Sequence, residues 1–183
     1  MTSLALLPLA MVLPCSSSLC SLDCDLTQGL QEDFSLLNQM STIPLVPCWK
    51  DWTKFNFPTE AMEGRQLQRR NATVIVHEML QQIFTIFSLN GTPIAWNQTQ
   101  LMQLFIGLDQ QLQQLEKCLE QDGEWEEPFL DSENLRLALK NYFQGISQYL
   151  QEKVYSHCAW EIVRVDIRRV FLFMSKLTRK LRD

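Results

Sequence analysis

The sequence predicts an all-α fold of five helices in one bundle, with a long overhand connection after the first helix. Apolar residues recur at three- and four-residue steps through five segments, and no alternating β pattern persists. About 25 residues follow the first segment, which is enough to run the length of a bundle. An up-down bundle is the alternative, because it needs only short loops.

The first two helices are predicted at 25–40 and 66–89. The first carries its apolar stripe on residues that include Leu30 and Leu37. The second is apolar nearly all round, which predicts burial on most of its sides. The run NGTP at 90–93 ends it. The connection between the two helices is held open by prolines, at Pro44, Pro47 and Pro58.

The last three helices are predicted at 97–122, 132–153 and 159–181, each with one apolar stripe. Asp131 or Ser132 is expected to cap the middle one. The links between these helices are short, so successive helices are expected to run antiparallel. Together with the long first connection, this favours an up-up-down-down bundle of the cytokine type.

Residues 1–23 have the features of a secretory signal peptide. The short apolar run LALLPLAMVL precedes small residues, and we expect the cut between positions 20 and 23. The run is too short to cross a bilayer, and no later segment is long enough without charges. We therefore expect a secreted protein with no membrane insertion, in which 24–183 form one helical domain.

Four cysteines follow the predicted signal peptide. An even number in an oxidising compartment predicts two disulfides, and spacing alone leaves all three pairings open. No pair has CxxC spacing, and His77 and His157 are the only imidazoles, so no structural zinc site is expected. The four are Cys24, Cys48, Cys118 and Cys158.

Three N-x-S/T sequons begin at Asn71, Asn90 and Asn97. In a secreted chain each is a glycan acceptor if it is exposed. Asn97 is the strongest candidate because it lies at a predicted helix start. Asn90 is the weakest because Pro93 follows its sequon.

The sequence contains no complete catalytic motif. His77-Glu78 begins like the HExxH zinc motif, but Gln81 stands where the second histidine belongs. The glycines are scattered, so no phosphate-binding loop is formed. We predict that the protein is not an enzyme and has no metal or cofactor. A net charge of −5 on a secreted chain also argues against a nucleic-acid partner.

The last predicted helix is basic on an acidic chain. From Ala159 onward there are seven basic and three acidic residues, which gives a net charge of +4. Such a helix could dock on another protein, or bind membranes or polyanions. The second function needs the apolar stripe to leave the core, at roughly 1.5 to 3 kcal/mol per large side chain against a total stability of about 5 to 15 kcal/mol. Docking is favoured, with Arg164, Arg168 and Arg169 on the outer surface.

Five sequence blocks occur in order across nearly the whole chain: CDL at 24–26, VHEMLQQIFTIF at 76–87, AWNQT at 95–99, QQLEKC at 113–118 and YSHCAWEIVRVDIRR at 155–169. Together they resemble the type I interferon family, with a mixture of beta, kappa, alpha and omega features. The resemblance implies that 24–183 form a secreted helical cytokine domain. It also implies binding to the two-chain type I interferon receptor and antiviral signalling, and we expect a monomer.

The resemblance further implies two disulfides, Cys24–Cys118 and Cys48–Cys158, and two receptor-binding surfaces. The high-affinity receptor chain would dock on the first long connection and the last helix. The implied contacts there are Trp49, Lys50, Trp52, Arg164, Val165, Arg168 and Arg169. The low-affinity chain would contact the opposite side, at Phe84, Thr85, Phe105 and Lys140.

The chain departs from the family pattern at three places. Trp52 stands where many members have an arginine, so a charge-assisted contact gives way to a bulky apolar one. Lys140 replaces an arginine of alpha members, which keeps the charge but loses the planar fork. The interval from Cys24 to Cys48 is about four residues shorter than in alpha and kappa members, which predicts a first helix shorter by one turn.

Overall fold

A computed structural model of the chain describes residues 25–40, 43–63, 69–89, 92–93, 96–121 and 130–182. Within these ranges the chain is helical and contains no strand, so the all-α prediction is confirmed. The predicted signal peptide, Cys24 and Asn90 lie outside the described residues. The helices are α1 Thr27–Gln39, a 3₁₀ helix Val46–Asp51, α2 Thr59–Glu63, α3 Arg69–Phe87, α4 Gln98–Gln121, α5 Leu130–Glu152 and α6 His157–Arg182.

The five long helices match the predicted ones to within three residues at each end. The 3₁₀ helix and α2 were not predicted, because neither is long enough to show an apolar period. The expected cap of α5 is wrong. This helix begins at Leu130, so Asp131 and Ser132 lie inside its first turn.

Contacts between pairs of side chains show that α4 runs antiparallel to α1 and to α3. Gln39 near the end of α1 meets Gln100 near the start of α4, and Asp33 meets Gln111 further along. In the same way, the ring of Phe84 packs on Phe105, while His77, earlier in α3, lies 3.3 Å from Glu116. Helices α1 and α3 therefore run in the same direction, as a long overhand connection requires.

Helix α6 also runs opposite to α1. Arg164 contacts the carbonyl of Leu37, and Arg168, one turn later, lies over Phe34, one turn earlier. Helices α1, α3, α4 and α6 thus form the predicted up-up-down-down arrangement, and the up-down alternative is wrong. The remaining long helix, α5, packs against α3 and α6.

Helix α3 lies at the centre of the bundle, because it packs against α4, α5 and α6. Burial on most of its sides was predicted and is confirmed. At one end of the core, Phe87 of α3 stacks on Trp160 of α6 at 6.0 Å between ring centroids. The Trp96 ring completes this cluster 5.6 Å from Trp160, and its indole N–H donates to Glu161 Oε1 at 2.7 Å.

A disulfide joins Cys48 of the 3₁₀ helix to Cys158 in the first turn of α6, which confirms the second implied bridge. It closes a separation of 110 residues, worth roughly 4 to 5 kcal/mol in chain-entropy models. The Tyr149 hydroxyl and Lys153 Nζ bind Asp51 at 2.7 and 2.9 Å, so α5 holds the same segment. Cys118 is also disulfide-bonded. Its pairing with Cys24 stays a prediction, because Cys24 lies outside the described residues.

The crossing of α1 and α4 is close enough to require glycine. A Cβ atom added to Gly107 of α4 would collide with the carboxylate of Asp33 on α1. A Cβ atom added to Gly29 of α1 would lie 3.1 Å from the Gln111 side chain of α4. The same test on Gly145 of α5 meets open space, with nothing within 4 Å.

We predict opposite effects of alanine at two helical glycines. Gly107→Ala should lower the free energy of unfolding by about 1 to 3 kcal/mol, because the new methyl group pushes Asp33 out of the crossing. Gly145→Ala should raise it by about 0.5 to 1 kcal/mol through helix propensity alone. Urea denaturation of both variants measures the difference, and equal stabilities would show that the α1–α4 crossing can relax.

Candidate functional site

The first connection presents an aromatic platform, formed by Trp49 and Trp52. The Trp49 side chain is 74% exposed and that of Trp52 is 41% exposed. Their rings are stacked, with centroids 6.3 Å apart and planes inclined by 18°. Lys50, which lies between the two tryptophans in the sequence, is also exposed. Because Cys48 is bonded to α6, the platform has a fixed place beside that helix.

Arg164 lies inside the protein, so the prediction that it faces outward is wrong. Arg164 is only 3% exposed, and its guanidinium donates to the Leu37 carbonyl at 2.7 Å and to Glu161 Oε2 at 2.9 Å. Glu161 is fully buried and also accepts from Trp96. A buried carboxylate is stable only when it is paired and hydrogen-bonded, which is the reason for an inward arginine.

The other predicted α6 residues differ in exposure. Arg169 is exposed, and its guanidinium lies 3.3 Å from Asp166 Oδ1. Arg168 is half-buried above the Phe34 ring, 5.3 Å from its centroid. Burial and the nearby charge of Arg164 lower the pKa of Arg168 from its ordinary value. Val165 is half-buried. The outward position predicted for the arginines therefore holds fully only for Arg169.

A basic groove, lined chiefly by 54–61 and α6, lies beside Arg169 and has a volume of about 860 Å³. Its exposed cations are Lys54, Arg169 and Lys176. The floor is aromatic, because Phe57 packs edge-on against Phe173 at 5.3 Å and against Tyr142 at 5.1 Å. Sequence reasoning missed this groove, since it depends on the path of 54–61 across α6, for which the sequence carries no periodic signal.

The one carboxyl group of α6 that lines the basic groove is turned inward. Asp166 is 6% exposed, and the Tyr142 hydroxyl donates to its Oδ2. Burial raises the pKa of Asp166, while the hydrogen bond from Tyr142 and the charge of Arg169 lower it in part. Of the exposed charged residues that line the groove, three are cations and one, Glu60, is an anion. The groove therefore presents mainly positive charge to solvent, although the whole chain is acidic.

The residues predicted for the second surface are only partly brought together. The Phe84 and Phe105 rings pack edge-to-face at 5.2 Å, across α3 and α4. Thr85 is exposed, and its hydroxyl donates to the Gln81 carbonyl at 2.9 Å. Lys140 is exposed on α5, a different helix from the two that carry these rings.

Two other features bear on function. Among the described residues, no helix is long and apolar enough to cross a membrane. In the same ranges, no three side chains of His, Cys, Asp or Glu converge as metal ligands.

A helical bundle of this up-up-down-down topology, with an aromatic platform and a basic groove exposed beside α6, has the architecture of a helical cytokine. An interferon alpha/beta domain family model matches residues 22–181. The chain is 47% identical over 177 residues to interferon alpha-2 of Equus caballus, covering 94% of this chain and 96% of that one. It is 44% identical over 173 residues to interferon omega-2 of Equus caballus, covering 92% and 87%.

A solved interferon structure has a similar fold. The solved structure of zebrafish interferon 2 superposes with a TM-score of 0.71 at 23% identity, and covers 82% of this chain and 96% of that one. The chain therefore belongs to the type I interferon family. Interferons are cytokines and not enzymes, which confirms the prediction that the chain has no catalytic role.

We predict that two arginines of α6 differ sharply in their effect on stability. Arg164→Ala should lower the free energy of unfolding by about 3 to 5 kcal/mol, because it removes the arginine that pairs with the buried Glu161 carboxylate. Arg169→Ala should change it by less than about 1 kcal/mol, since the Arg169 side chain is mostly exposed and the Tyr142 hydroxyl still donates to Asp166. Chemical denaturation followed by circular dichroism measures both, and a small loss for Arg164→Ala would contradict the buried ion pair.

Proposed function

We propose that the protein is a secreted, monomeric interferon that binds the two chains of the type I interferon receptor and induces antiviral signalling. One observation carries the proposal: in a chain of this family, the Cys48–Cys158 bridge holds an exposed aromatic platform beside α6. Two large, rigid aromatic side chains exposed next to basic residues have the composition of a protein-binding hot spot.

The high-affinity receptor chain is proposed to dock on the aromatic platform, Lys50 and the outer face of α6. Arg169 and Arg168 supply cations there, and Val165 supplies apolar area. Arg164 supports this face from inside, because its contact with Leu37 ties α6 to α1. Trp52 contributes apolar area where many members have an arginine, so binding should depend less on salt at this position.

The basic groove extends the proposed face beyond Arg169. Lys54 and Lys176 add positive charge beside an aromatic floor, offset in part by the exposed Glu60. Opposite charges across an interface raise the association rate, so an acidic receptor segment is the favoured partner for this end of the face. The low-affinity chain is proposed to bind the opposite side, through Phe84, Phe105, Thr85 and Lys140.

Binding of membranes or polyanions through the last helix is not favoured. That function needs the apolar side of α6 to be available, whereas Ile162, Val163 and Ile167 are at most 2% exposed in the core. Releasing α6 to a bilayer would expose to water the core side chains that these three cover, at roughly 1.5 to 3 kcal/mol for each large one.

Receptor binding predicts a large effect of truncating the platform. Trp49→Ala should weaken binding to the high-affinity receptor chain by about thirtyfold or more, roughly 2 kcal/mol, with helicity unchanged because the side chain is mostly exposed. Arg169→Ala should weaken it less. Lys117→Ala, at an exposed lysine of α4, is the matched control and should have no effect.

The variants are compared by surface binding to the isolated receptor chain and by reporter-gene induction in cells with and without the type I interferon receptor. Induction that persists in receptor-deficient cells would exclude the proposed partner. Unchanged binding of Trp49→Ala, at the level of the Lys117 control, would exclude the platform as the docking surface.

We further propose that Asn97 carries an N-linked glycan. Asn97 is exposed, and its Oδ1 caps α4 by accepting from the amides of Thr99 and Gln100 at 2.9 and 3.2 Å. The cap uses the oxygen of the side chain, whereas a glycan is joined to the nitrogen, so the two are compatible. Asn71 is half-buried in the first turn of α3 and is a weaker acceptor.

Expression in mammalian cells tests this site. The protein should be recovered from the medium with a mass that falls on treatment with an N-glycosidase, and Asn97→Gln should remove that mass while Asn71→Gln should not. Absence of any mass change in Asn97→Gln would contradict the proposal.

N-terminal sequencing of the recovered protein would locate the cut predicted between positions 20 and 23.

A further inference from the structure

A carboxyl group is buried where α1 crosses α4. Asp33 is 1% exposed, and it accepts a hydrogen bond from Gln111 Nε2 at 2.5 Å. Gln111 is itself 4% exposed. The missing Cβ of Gly107 provides the space that the carboxyl group fills. None of these residues belongs to either proposed receptor surface, and the sequence carries no motif that marks them.

No lysine or arginine pairs with Asp33 among the described residues. The side chains that face it from α4 are uncharged, and include Gln111 and the nearby Gln103 and Gln110. The nearest charge on α1 is Glu32, which repels it. On α6, which also packs on α1, Arg164 binds the Leu37 carbonyl and Glu161, and Arg168 lies over Phe34. An ionised Asp33 is therefore buried without a counter-ion, which is costly.

The partner of Asp33 is also incomplete. Gln111 Oε1 is buried and has no hydrogen-bond partner among the described residues. An unpaired buried acceptor is uncommon and destabilising. A proton on Asp33 would supply the missing donor, since a neutral carboxyl group has one O–H in addition to its acceptor oxygen. The carboxyl and amide groups could then exchange two hydrogen bonds.

We propose that Asp33 and Gln111 form a proton-operated clamp between α1 and α4. As the pH falls below neutral, Asp33 takes a proton from solvent, donates it in a hydrogen bond to Gln111 Oε1 and continues to accept from Gln111 Nε2. The clamp tightens on acidification, so the cytokine gains stability from this pair under conditions that weaken most carboxylate contacts.

The electrostatics agree with this direction. Burial raises the pKa of Asp33 to about 7, from an ordinary value of 3.8, although the hydrogen bond from Gln111 lowers it in part. Glu32 adds a smaller increase. A group whose pKa is higher in the folded state contributes stability that is complete below its unfolded value and is lost as the pH rises through its folded value. The contribution of Asp33 therefore falls between about pH 4 and pH 7.

Urea denaturation of the full chain from about pH 4 to pH 8 tests the clamp through Asp33→Asn. Asparagine has the shape of the protonated acid, so it should keep both hydrogen bonds at every pH. The unfolding constant of this variant should equal that of the wild type near pH 4 and be at least about tenfold smaller near pH 8. Glu32→Gln is the control, and it should keep most of the pH dependence of the wild type, because Glu32 makes only the smaller contribution to the raised pKa of Asp33.

An unfolding constant for Asp33→Asn near pH 8 that equals or exceeds the wild-type value would overturn the proposal, because Asp33 would then be stable as an anion. Carbon-13 NMR of the Asp33 carboxyl group in the wild type gives a second measurement, which does not depend on the variant folding. A titration midpoint above about pH 6 supports the clamp, and a midpoint below it overturns the clamp.

Discussion

The covalent bond between Cys48 and Cys158 is the constraint on which the presentation of the aromatic platform depends. A 3₁₀ helix of six residues has too few hydrogen bonds to be stable alone. The bond fixes its middle residue to the first turn of α6, and the contacts of Asp51 with Tyr149 and Lys153 fix its end to α5. Two helices that are distant in the sequence from this segment thereby hold its two exposed indoles in one orientation, which lowers the entropy lost on binding.

Buried acidic groups are accommodated in three different ways in this bundle. Glu161 is paired with Arg164 and accepts from an indole. Asp166 accepts from Tyr142 and keeps a partly exposed contact with Arg169. Among the described residues, the only hydrogen-bond partner of the Asp33 carboxyl group on another helix is the neutral amide of Gln111. The first arrangement suits an anion and the last suits a neutral acid, so burial alone does not decide the charge of a carboxyl group in a helical core.

The helices and their order could be predicted from the sequence, because a single apolar stripe fixes both the length and the inner face of each one. The outward position of Arg164 was wrong for an instructive reason. Trp160, Arg164 and Ile167 lie at helical spacing on one buried face, so the spacing alone places Arg164 inside the bundle. The prediction placed it outside because its side chain is charged. Cysteine spacing left the bridges open, and only the likeness to a family indicated the bond that the structure contains. The basic groove could not be predicted, since it forms between α6 and an irregular segment.

The described residues include two groups of indoles in very different surroundings. Trp96 and Trp160 are at most 1% exposed and close to each other and to Phe87, whereas Trp49 and Trp52 project into solvent. Indole emission shifts to longer wavelength in water, and only accessible rings are quenched by dissolved acrylamide. Once Trp125, which lies outside the described residues, is replaced by phenylalanine, the red, quenchable part of the spectrum reports contact at the platform, and the blue, protected part reports the integrity of the core. The unlabelled protein thus carries an optical signal for binding that is separable from the signal for unfolding.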